Sequence, residues 1–150
     1  MWERLKALVG DPARQPRRMT DMNPEMRVAV CAILLETAEA DSEVDPAEER
    51  MIREALREHF DLSADEVEEL IALTQQERSQ SHDLWPFTNA VARQSSPEEK
   101  RDILTMVWRV ILADERLDAY EDQLARRLQQ MLSVNHSLLM EAKQAARKKA

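Results

Sequence analysis

Residues 23–48 read NPEMRVAVCAILLETAEADSEVDPAE, and residues 96–121 read SPEEKRDILTMVWRVILADERLDAYE. At a constant offset of 73, Pro24 and Glu25 meet Pro97 and Glu98, and Ala40-Asp41 meets Ala113-Asp114. Asp45 meets Asp118, Glu48 meets Glu121 and Arg53 meets Arg126. Val30, Ile33, Leu34, Val44 and Met51 meet Ile103, Met106, Val107, Leu117 and Leu124, all apolar. No gap interrupts this register from 23 to 53, and the identities cluster at cap and core positions. The pattern reads as a duplicated helix–loop–helix with pseudo-twofold symmetry, at a period longer than that of ordinary solenoid repeats.

Each copy repeats one local logic. Asn23 or Ser96 is an N-cap, Pro occupies the first helical position, and Glu follows in the first turn. The helices this starts, 24–39 and 97–112, carry the apolar stretches Val28 to Leu35 and Ile103 to Leu112. Apolar around most of their circumference, they belong at the centre of a bundle. After a short loop, Asp45 and Asp118 cap the next helices with Glu48 and Glu121 at N3, an Asp variant of the capping box. Those helices run to about His59 and Ser133. Between the copies, Ser63 caps a helix over 64–79 with Val67, Leu70, Ile71 and Leu73 inward. Asp83 caps one over 84–94 with Trp85, Phe87 and Val91 toward the core, where Pro86 is tolerated in the first turn. Asn135 caps a last helix over 136–148, with Leu138, Leu139, Ala142 and Ala146 on one face.

Upstream, Trp2, Leu5, Leu8 and Val9 fall at helical spacing and predict a short amphipathic helix over 2–9. Gly10 ends it, and 10–22, with Pro12 and Pro16, reads as a linker. The expected fold class is therefore all-α. It comprises an N-terminal helix and basic linker (1–22) and a single-domain bundle of about seven helices (23–150).

Composition narrows the function. The chain has 150 residues, 43% apolar and 33% charged, which suits one globular domain. It contains 1 Gly, where an average chain of this length has roughly ten. Phosphate-cradling loops and dinucleotide fingerprints need several, and so do tight β-hairpins. The single Cys31 cannot form an internal disulfide, and its apolar setting suits a small hydrophobe better than a nucleophile. The longest apolar run, Val28 to Leu35, is too short for a bilayer, and Met1 to Lys6 lacks the pattern of a signal peptide. A cytoplasmic location is the default expectation. Net charge is −8, divided as +3 over 1–20, −14 over 21–140 and +3 over 141–150. An acidic body disfavours nucleic acid. The basic ends suit an acidic surface, either their own body or anionic lipid through peripheral membrane association. The other reading is a solvated arm and a frayed helix end.

Ala-Asp-x-x-Val-Asp-x-x-Glu at 40–48 and Ala-Asp-x-x-Leu-Asp-x-x-Glu at 113–121 resemble the TerB-like, tellurite-resistance-associated family. So do Leu34-Leu35-Glu36, Phe60-Asp61-Leu62-Ser63, Asp83-Leu84 with Phe87-Thr88, and Trp108-Arg109-Val110. The similarity covers about 23–145. It implies an all-α fold of about seven helices with internal duplication. It also implies a bacterial cytoplasmic protein linked to tellurite or general chemical stress, with metal bound through acidic residues and no established reaction. The family usually has Gly after Ala-Asp in each loop. Here Ser42 and Glu115 stand there, and a positive φ would cost either of them.

The metal-ligand candidates are Asp41, Asp45, Glu48, Asp114, Asp118 and Glu121. An all-oxygen set suits a hard divalent cation, Ca²⁺ or Mg²⁺ rather than Zn²⁺. Asp41-x-Glu43-x-Asp45 opens like an EF-hand loop, but the sixth position is Pro46 and the twelfth Ile52, so the loop is not one. The competing reading makes the same residues helix caps and binders of loop amides. Glu36 and Arg109 occupy matching positions on largely apolar helices. The reading expects them to pair across the pseudo-twofold axis; otherwise each reaches solvent separately.

His59, His82 and His136 show no ligand spacing, and neither a zinc motif nor a Glu-x-x-His di-iron motif occurs. Ser81-His82-Asp83 adjacency does not support a triad, which is assembled by geometry. The expectation is a non-enzymatic stress-response protein with no organic cofactor, binding a divalent cation through its acidic inter-helix loops and working with a protein partner. The alternative is a helical interaction module at the membrane or in a stress complex. Its acidic residues would be only caps, and an exposed Trp2 or Trp85 patch would be its mark. A metal-dependent hydrolase is a weaker third class.

Overall fold

The computed structural model describes residues 23–39, 46–81, 83–113 and 119–149, without the side chains at 119–122 and 149. The expected N-terminal helix and linker lie outside the described residues, as do Asp41, Asp45, Asp114, Asp118 and the Glu121 side chain. Among the described residues the chain is all-helical, with seven helices. They are α1 (Pro24–Glu39), α2 (Pro46–Phe60), α3 (Ala64–Ser79), α4 (Trp85–Gln94), α5 (Pro97–Ala113), α6 (Ala119–Met131) and α7 (His136–Lys149).

The starts are set by side chains that bond exposed backbone amides. Met26 N–H donates to Asn23 Oδ1 at 2.9 Å, and Leu138 N–H donates to Asn135 Oδ1 at 2.8 Å. Ser63 with Glu66 and Ser96 with Glu99 form complete capping boxes, each side chain accepting from the other residue's amide. Asp83 accepts from Trp85 N–H two residues on, so it closes a turn just ahead of α4 rather than occupying the cap position. Two helices end on left-handed residues without glycine: Asp61 at φ 53° after α2 and Ser133 at φ 57° after α6. In both, the next amide reaches back five residues, Leu62 to Arg57 O and Val134 to Gln129 O. This is the Schellman arrangement, which satisfies carbonyls the helix end would leave bare.

α1 and α5 form the centre. Every residue from Met26 to Leu34 and from Ile103 to Ile111 is buried. α1 packs against α2, α3, α4 and α5, while α5 packs against α1, α2 and α7. Buried threonines on these and flanking helices resolve their hydroxyls by donating to carbonyls one turn back, Thr37 to Ile33 O and Thr74 to Leu70 O among them.

The helix starts keep the 73-residue spacing, Pro24 with Pro97 and Pro46 with Ala119. Their neighbours follow it in part: α3 lies against α1 and α2 as α7 lies against α5 and α6, while α2 also lies against α5 and α6 against α4. The charged pair expected across a twofold axis is not formed. Glu36 bonds Arg78 and Arg109 bonds Glu58, each at 2.9 Å. Both charges sit at the edge of the core, where a carboxylate or guanidinium from a flanking helix reaches them before the central partner does. Trp85 is a second correction. It is 60% exposed, while Leu84, Phe87 and Val91 are buried. Two residues apart on a helix is about 200° of rotation, so Trp85 and Phe87 cannot both face the core.

Candidate functional site

Two places concentrate polar chemistry. The first lies where α5 ends and α2 begins. Ala113, the last residue of α5, and Ala47, in the first turn of α2, line one cavity of about 500 Å³. The acidic segment 41–45 leads directly into α2, and the segment beginning at Asp114 leaves directly from α5. Arg50, Arg53 and Arg57 also line the cavity, a basic stripe on α2 at helical spacing. Of the six carboxylates expected as ligands, only Glu48 has a described side chain. It sits in the first turn of α2 at 4% exposure. Burying a carboxylate this far is costly unless charge or hydrogen bonds compensate its lost hydration. Among the described residues no group of three or more His, Cys, Asp or Glu side chains is disposed to hold a metal. The donor chemistry of the six still suits a hard cation, since all would ligate through oxygen.

The second place is a cleft of about 400 Å³ between α1, α3 and the start of α4, with Arg78 on its wall. Arg78 Nη2 donates to Glu36 Oε2 at 2.9 Å and also to Glu39 Oε2, while Nη1 holds Gln75 Oε1 at 2.8 Å. Burial works against the Arg78 charge, but the Glu39 and Glu36 carboxylates outweigh it and hold its pKa above the ordinary value. Asp83, Leu84 and Phe87 complete the far wall, and the exposed Trp85 adjoins them.

The sequence profile of the tellurite resistance protein TerB family matches residues 27–144. This chain belongs to the TerB family. Its fold is also similar to the crystal structure of a protein of unknown function from Porphyromonas gingivalis W83. The TM-score is 0.65 at 17% identity, over 83% of this chain and 94% of that one. No curated protein matches this chain.

Within this TerB domain, Cys31 lies on α1 at 0% exposure, beside Thr74. Burial pushes its thiol up to about 12, outweighing the Thr74 hydrogen bond and the Arg78 charge. The thiolate is the nucleophile and the metal ligand, so a thiol held this protonated is neither. No described helix is long and apolar enough to cross a membrane. Arg78 and Glu39 escaped the sequence reading. Arg78 lies 42 residues from Glu36 and 39 from Glu39, and no local spacing signals such a pairing.

Proposed function

We propose that this TerB-family protein is a non-enzymatic component of a tellurite or chemical-stress response that binds a divalent cation, Ca²⁺ or Mg²⁺, at its paired acidic loops. The observation that supports this reading is that Ala47, two residues after Asp45, and Ala113, one residue before Asp114, line the same cavity. Asp41, Asp45, Glu48, Asp114, Asp118 and Glu121 are the ligand candidates. Bound there, a cation would supply the positive charge that offsets their mutual repulsion. Arg50 and Arg57, which line that cavity, would compete for the same carboxylates and keep affinity modest.

Thermal unfolding of the chelated protein, titrated with Ca²⁺, Mg²⁺, Mn²⁺ and Zn²⁺, tests it. Ligation of the folded state stabilises by mass action, about 2.7 kcal/mol at a hundredfold excess over Kd. The midpoint should rise saturably with Ca²⁺ or Mg²⁺, and Asp41→Asn/Asp114→Asn should abolish the rise. A flat midpoint with every cation would sink the reading.

One observation favours a second reading, a helical interaction module in which the acidic residues serve as caps. Trp85, at the start of α4 and next in sequence to Leu84, is 60% exposed, the kind of aromatic that anchors a partner helix. A protein captured through this face should be lost with Trp85→Ala and retained with Asp41→Asn/Asp114→Asn.

A further inference from the structure

The Arg78 cleft continues into a narrower cavity of about 150 Å³, and the two share Glu39 and Gln75. Both lie against α1 and α3, on either side of these two shared residues, and are taken together as one groove. Half-buried Leu35 and Ile71 give the narrower cavity apolar lining, and Leu84 and Phe87 do so for the wider one. The groove's acidic side chains are Glu36, Glu39, Glu49 and Asp83, against the two arginines Arg53 and Arg78. Arg78 is engaged by two of those carboxylates, Glu36 and Glu39, and Arg53 by Glu68 outside the groove, so the acidic excess lies at Glu49 and Asp83. The occupant that suits this surface is amphipathic, with aliphatic and aromatic side chains on one side and basic charge.

We propose that residues 2–9 of this same chain dock in that groove, in cis. Trp2, Leu5, Leu8 and Val9 share one face at helical spacing; Arg4 and Lys6 against Glu3 give 2–9 a net charge of +1, within +3 over residues 1–20. The connection reaches. Asn23 Nδ2 bonds Gln94 Oε1 at 3.3 Å, so the first described residue stands beside the C-terminal end of α4. Trp85 lies at the other end of that helix, about 15 Å away at 1.5 Å per residue. Residues 10–22 can span up to about 43 Å when extended. Tethering makes the contact intramolecular, with an effective concentration in the millimolar range for short linkers, so a shallow groove is enough. The inference rests on neither functional reading above. Its consequence for the second is that an external helix would have to displace the chain's own segment.

The test uses the full chain with Ala7→Cys carrying a nitroxide, since Ala7 lies opposite the apolar face of 2–9 and the buried Cys31 does not label. Amide signals of Ile71, Gln75 and Arg78 and the Trp85 indole signal should lose most of their intensity. The loss should be independent of protein concentration, and Leu5→Glu/Leu8→Glu in the same labelled chain should restore the signals. Unchanged groove signals would overturn the proposal, as would broadening that survives Leu5→Glu/Leu8→Glu. Broadening seen only when a nitroxide-labelled copy is mixed with a separate isotope-labelled copy would also overturn it, in favour of a second copy as the occupant.

Discussion

The Arg109 guanidinium, on central helix α5, donates to Glu58 on α2 at 2.9 Å, with the Arg109 side chain 7% exposed and that of Glu58 55% exposed. The two ends of the pair therefore differ in what they lose if it breaks. Glu58→Ala leaves a buried cation without this carboxylate and should cost about 1–3 kcal/mol. Arg109→Met leaves a carboxylate that rehydrates, and the aliphatic replacement retains most of the packing, so the loss should be smaller. Urea unfolding of the two variants checks the order; a larger loss for Arg109→Met would contradict it.

Asp61 and Ser133 hold left-handed backbone at helix ends where glycine is the usual residue. A Cβ raises the energy of that conformation by roughly 1–2 kcal/mol, less for Asp than for Ser because Asp tolerates the region better. Ser133→Gly should therefore stabilise by about 0.5–1 kcal/mol and Asp61→Gly by less, read as shifts in the denaturation midpoint at unchanged slope.

Ser63 and Ser96 cap the starts of α3 and α5 through reciprocal bonds with Glu66 and Glu99. Replacing either serine with alanine should cost about 1 kcal/mol. The two sites share no partner, so the double variant should lose the sum of the single losses.

Cys31 predicts an alkaline limit to stability. Its pKa is raised to about 12 in the folded chain, while an unfolded thiol titrates near an ordinary value of about 8.5. Above that ordinary value the unfolded state sheds a proton that the folded state keeps. The contribution is thus fully present below it and lost progressively as pH climbs toward the folded value. Cys31→Ala should flatten the fall in stability between these limits. In wild type, a thiol reagent at neutral pH should modify Cys31 only at the rate of unfolding.

The helices could be located before any coordinates because their determinants are local. Asn23, Ser63, Ser96 and Asn135 each bond an amide three residues on, and Pro24, Pro46 and Pro97 stand in first turns. The apolar runs of α1 and α5 placed them at the centre for a similar reason: a helix without a polar face has no side to give to water. Trp85 was misplaced because local pattern supplied two aromatic candidates for one inward face, and only the rotation of α4 against α1 chose Phe87.

By itself, then, the amino-acid order determined where the described residues are helical, which two helices are buried, and that acidic residues stand in both segments 41–45 and 114–118. These follow from interactions that reach no farther than one helical turn or from the cost of wetting apolar surface. Tertiary structure alone decided the partners of its charges. Glu36 and Arg109 hold matching places in the sequence repeat, yet Glu36 meets Arg78 and Arg109 meets Glu58. A long charged side chain bonds whatever opposite charge the packing brings within reach, and helix crossings set that distance, not spacing along the chain.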